Sequence, residues 1–98
     1  MKISSARILV VDDDPVMRKF VVNSLEKMGI PTIDSCEDGT QALQMVESFR
    51  PDVVLTDIHM TPMNGFEFVR QLREHRNVAL RQVRIIFMSA DSSTDTLE

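Results

Sequence analysis

Ile8-Leu9-Val10-Val11-Asp12-Asp13-Asp14-Pro15 joins an apolar run to three carboxylates and a proline. Four aliphatic residues in a row predict a strand buried on both faces, here Arg7 to Val11. Pro15 suits the first turn of a helix, and Asp14 before it suits the N-cap. Asp12 and Asp13 are left at the strand's end, where crowded carboxylates repel one another and are costly to desolvate. Such crowding points to a bound cation rather than to stability.

Outward from this junction the apolar pattern alternates between short β-branched runs and helical spacing. The first helix is expected from Pro15 to about Met28, with Met17, Phe20, Val21, Ser24, Leu25 and Met28 inward and Gly29 as its stop. Pro31 to Ser35 predicts a weaker strand. Asp38-Gly39 leads into a helix ending near Phe49, with Ala42, Leu43, Val46 and Phe49 inward. Val53 to Thr56 reads as a third strand, Gly65 to about His75 as a third helix with Phe66, Val69 and Leu72 inward, and Val83 to Met88 as a fourth strand. Ser92 to Glu98 reads as the start of another helix. This order predicts an α/β fold, a doubly wound parallel sheet with ligand chemistry at the carboxyl ends of its strands. The first strand ends at Asp12-Asp13, the third at Asp57 and the fourth at Ser89, so three distant polar groups are expected on one edge.

The 98 residues form one small domain, 43% hydrophobic and 27% charged, which excludes wholesale disorder. No segment approaches the roughly 20 apolar residues of a membrane span, and the apolar run behind Lys2 is too short for a signal-peptide core. A cytoplasmic location is the default. A net charge of -4 argues against nucleic-acid and anionic-membrane partners. Cys36 is the single cysteine and reads as a small buried apolar residue. His75 reads as a partner for a helix dipole, and Met60 and Met63 as loop packing. With no glycine-rich phosphate loop and no Ser/His/Asp set, an enzyme acting on a diffusible substrate is not expected.

Asp12, Asp13 and Asp57, with no basic residue beside them, make a hard-oxygen site suited to Mg²⁺. Beside such an ion an Asp carboxylate is a competent nucleophile toward a phosphoryl group, with the Ser89 hydroxyl as a donor to phosphoryl oxygens.

Three runs in this order and spacing resemble the receiver domain of two-component response regulators. They are Ile8 to Pro15, Thr56-Asp57-Ile58-His59-Met60-Thr61-Pro62-Met63-Asn64-Gly65, and Ile85-Ile86-Phe87-Met88-Ser89-Ala90. The resemblance implies the flavodoxin-like strand order 2-1-3-4-5, of which chemotaxis receivers are a type example. It implies Asp57 as phosphoacceptor, Asp13 as a direct Mg²⁺ ligand, Asp12 as a ligand acting mainly through water, the His59 backbone carbonyl as a third protein ligand, and Ser89 as the switch hydroxyl. The His59 side chain, two positions past Asp57, would influence hydrolysis of the phosphoryl group or be merely solvated. The expected donor is a histidine kinase or phosphotransfer protein; the alternative is a pseudo-receiver that docks a cation or partner without phosphoryl transfer. One departure is Thr61, where the family most often has proline, although loop length is unchanged.

The family pattern also runs on through a fifth strand and last helix, carrying a lysine and an aromatic residue that have no counterpart in residues 1–98, so this receiver domain reads as incomplete at its C-terminal end. Without that lysine a phosphorylated, Mg²⁺-bound site would keep a formal charge of about -2 instead of about -1. The fourth strand would be an exposed apolar edge, open to pairing with a second copy in a homodimer. An omitted C-terminal part, a truncation that pairs with a second copy and a stable short variant are the three explanations.

Overall fold

Arg7–Val11 forms β1, and four of its five residues are buried, as a strand covered on both faces requires. A computed structural model describes residues 2–88; the expected helix start at 92–98 and Ser89 lie outside them. After a short 3₁₀ turn at Ile3–Ser5 and β1, the order is α1 Pro15–Lys27, β2 Thr32–Cys36, α2 Gly39–Phe49, β3 Val53–Asp57, α3 Gly65–Arg73, α4 Val78–Arg81 and β4 Arg84–Met88. All strand pairs are parallel, and the sheet order is β2-β1-β3-β4. The chain steps from β1 to β2 on one side and returns to β3 on the other, so β1 and β3 flank the topological switch point.

β1 sorts the core into two layers. Ile8 and Val10 pack with Leu25 of α1, Ile30 and Val53, while Leu9 and Val11 pack with Ala42 and Val46 of α2 and Phe68 and Leu72 of α3. Each long helix is started by a side-chain cap: Asp14 Oδ1 accepts from the Val16 and Met17 amides, Asp38 Oδ1 from Thr40 and Gln41, and Asn64 Oδ1 from Glu67. Gly29 ends α1 at a φ of 90°, a conformation that favours glycine.

Several expectations need correction. β2 runs one residue later than Pro31 to Ser35, because Pro31 has no amide to donate and Cys36 pairs in register with Val11. The face of α1 is narrower than expected: Phe20 and Met28 are exposed at 64% and 59%, while Leu25 is its buried anchor and Val21 packs beside it, joined by Val22. On α3 the inward phenylalanine is Phe68, fully buried, whereas Phe66 is exposed and packs its ring at 5.0 Å from that of Phe87 on β4. α3 tightens after Arg73, where the Glu74 and His75 amides donate to Gln71 and Leu72 three residues back. The short α4, capped by Asn77, was not expected; it carries Leu80 into the core. His75 also has specific partners beyond α3. Its Nε2 lies 3.1 Å from Glu47 Oε2 on α2, and its Nδ1 accepts from the Asn77 amide, so it ties α2 to the turn before α4.

Candidate functional site

β1 and β3 are neighbours with Val11 opposite Thr56, so the residues that follow in each strand, Asp12 and Asp57, meet at the carboxyl edge of the sheet. One ligand oxygen from each of Asp12, Asp13 and Asp57 lies within 4.8 Å of the others. Asp12 and Asp57 are buried, at 1% and 5% exposure, while Asp13 faces solvent. The three carboxylates expected at one edge are therefore brought together. Asp14 is not one of them, because its side chain is spent on the α1 cap.

Each buried carboxylate is held by main-chain amides through one oxygen. Asp12 Oδ1 accepts from the Asp14 amide at 2.9 Å; Asp57 Oδ1 accepts from Ile58 at 2.8 Å and His59 at 3.4 Å. Among the described residues the second oxygen of each has no protein donor, which leaves it for a cation or an incoming group. Burial holds the Asp12 carboxyl above the ordinary carboxylate range; the Asp14 amide opposes this, and the charges of Asp57, Asp13 and Asp14 add to it.

The loop after Asp57 is packed against the sheet. The Gly65 amide donates to the Ile58 carbonyl at 2.9 Å, and a Cβ at Gly65 would run into the Asp57 carbonyl oxygen, so only glycine allows α3 to start this close to β3. Met60 is buried and Met63 lies against Gly39, as loop packing predicts. His59 is exposed and, with Asp13, Met60, Thr61 and Asn64, lines a cavity of about 330 Å³. The Thr61–Pro62 peptide is cis. β4 is described as far as Met88, opposite Asp57; Ser89 lies outside the described residues.

One neighbour was missed. A basic residue does stand beside the cluster: Arg18 Nη1 donates to the Asp12 backbone carbonyl at 2.7 Å. Helical spacing from Asp14 could have flagged it, since residue 18 lies one turn on from the cap.

A parallel doubly wound sheet with an acidic cluster at its switch point, two carboxylates after one strand and a third ending its neighbour, is an α/β domain with a candidate cation site where such sheets place their ligands. The sequence pattern of the response regulator receiver domain matches residues 8–98, and the chain belongs to that family, whose members are receivers of two-component systems that accept a phosphoryl group on Asp. It is 45% identical over 69 residues, 70% of this chain and 29% of the relative, to the response regulator MprA of Mycobacterium ulcerans. The chain spans 25–29% of the length of the first curated relatives it matches. Among solved structures it resembles the chemotaxis response regulator CheY4 of Vibrio cholerae, with a TM-score of 0.79 at 29% identity over 94% of this chain and 74% of that one. The receiver domain of the histidine kinase CKI1 from Arabidopsis thaliana, solved with Mg²⁺ and BeF₃⁻, gives 0.79 at 29% identity over 86% and 65%.

Receiver domains bind Mg²⁺ at an acidic pocket of this kind, and the donor set fits: three carboxylates, all hard oxygens, two of them buried with an oxygen to spare. Among the described residues no helix is long and apolar enough to cross a membrane.

Proposed function

We propose that residues 1–98 act as a phosphorylation-controlled signalling unit that takes a phosphoryl group onto Asp57 from a histidine kinase or phosphotransfer protein, with Mg²⁺ required. The supporting observation is the approach of Asp12, Asp13 and Asp57 within 4.8 Å, with one Asp57 oxygen held by two amides and the other free of protein donors among the described residues. In this reading Asp13, Asp57 and the His59 carbonyl would hold the ion, with Asp12 supporting it mainly through water. When bound, Mg²⁺ supplies the positive charge that screens repulsion between carboxylate and phosphoryl group.

The Ile58 and His59 amides orient Asp57 so that its other oxygen attacks phosphorus. The P–N bond of a phosphohistidine donor breaks, its electron pair stays with the imidazole, which takes up a proton, and an acyl phosphate remains on Asp57. The Ser89 hydroxyl donates to a phosphoryl oxygen. The unit works as a cytoplasmic switch, not as an enzyme on a diffusible substrate. Ile86 and Phe87, exposed at 54% and 39% on β4, provide an apolar surface for a homodimer.

Incubation of the full chain with Mg²⁺ and acetyl phosphate should add one phosphoryl group, lost in Asp57→Asn and on chelation of the metal. Mg²⁺ binding with no adduct would overturn the reading in favour of a docking module. Elution as a strict monomer at high micromolar concentration would remove the dimer.

A further inference from the structure

Three hydrogen bonds aim Asp12. Its amide donates to the Cys36 carbonyl at 3.1 Å, its Oδ1 accepts from the Asp14 amide at 2.9 Å, and its carbonyl accepts from Arg18 Nη1 at 2.7 Å. The first two are properties of the strand and the turn. The third comes from a side chain and can be removed without altering the main chain.

Arg18 is well placed for this. Its own amide makes an early bond of α1, to the Asp14 carbonyl at 2.8 Å, so its side chain leaves the helix one turn beyond the cap and reaches back six residues while half-buried. Charges within 4.8 Å repel and work to splay the β1–α1 turn that carries Asp12 and Asp13. A guanidinium donor makes a stronger bond to a carbonyl than a neutral donor and resists that opening.

We infer that Arg18 is a positioning residue for the carboxylate cluster: its guanidinium closes the β1–α1 turn onto the Asp12 carbonyl and so sets where Asp12 and Asp13 present their oxygens to Mg²⁺. The inference rests on the proposed Mg²⁺-supported phosphoacceptor.

Arg18→Met keeps the apolar stem and removes the guanidinium. With wild-type circular dichroism retained, its Mg²⁺ dissociation constant, measured by calorimetry, should rise about tenfold, the low end for partners that orient metal ligands. The Asp12 and Asp13 amide resonances should shift in the metal-free protein. Arg18→Lys should recover part of the loss, since an ammonium can reach the carbonyl but lacks the fork. A folded Arg18→Met protein within about twofold of the wild-type constant overturns the inference. If Arg18→Met does not fold, Arg18→Lys decides by the same threshold: a larger rise supports the role and a smaller one overturns it. Wild-type protein that neither binds Mg²⁺ nor forms the acetyl phosphate adduct overturns the phosphoacceptor reading and this inference together, whereas wild-type binding matched by the variants overturns this inference alone.

Discussion

Asp12 shows how one residue trades stability for a ligand. At 1% exposure its carboxyl is held above the ordinary carboxylate value of 3.8, by burial first and by neighbouring charges after the opposing Asp14 amide. A raised carboxyl pKa means the folded chain takes up a proton more readily than the unfolded one. In metal-free buffer Asp12 therefore contributes a penalty that is absent below pH 3.8, grows as pH rises through the raised folded value and persists at neutrality. Asp12→Asn should raise metal-free stability at pH 7 by about 1 kcal/mol. The order should reverse at saturating Mg²⁺, because the ion stabilises the wild type by mass action and the variant less. Urea titrations with and without the ion check both halves; a variant less stable in both would contradict the trade.

Periodicity places residues on a helix, but the rotation of a short helix on its sheet is settled by what it packs against. α3 has only nine residues, Gly65–Arg73, and carries apolar side chains at 66, 68, 69 and 72, enough for two competing faces. The close approach of Gly65 to the Asp57 carbonyl selects the face that buries Phe68 and leaves Phe66 at 57% exposure against Phe87. Phe68→Ala should cost about 3–5 kcal/mol and Phe66→Ala about 1 kcal/mol or less. Equal losses for the two in chemical denaturation would restore the face drawn from spacing alone. α1 shows the same effect: Phe20 has helical spacing with Leu25's neighbours yet stands exposed, while Leu25 meets the β1 layer.

Across the whole molecule the sheet is assembled from segments far apart in sequence, so its interior opens only when the fold does. Cys36 reports this. It lies at the end of β2 at 5% exposure, and its thiol is pushed up to about 12 from 9.0, by burial first and then by the Asp38 charge. A thiol pKa raised by folding contributes stability that is present below pH 9 and lost as pH climbs toward about 12. Near pH 8 the native protein should react with an aromatic disulfide reagent at least about a thousandfold more slowly than in urea, in step with global opening. Prompt labelling of the native chain would show that β2 opens locally.

By itself the sequence determined the alternation of strand and helix, the cap at Asp14, and the acidic residues that terminate β1 and β3. These are local properties: backbone preference, hydrophobic period and the cost of carboxylates beside a buried strand. Only the tertiary structure decided that Val11 sits opposite Thr56, which carries Asp12 and Asp57 to within one ion's reach, that Phe68 rather than Phe66 turns inward, and that Arg18 folds back onto Asp12. Register, helix rotation and the reach of a long side chain depend on partners distant along the chain, and linear spacing cannot specify contacts that packing creates.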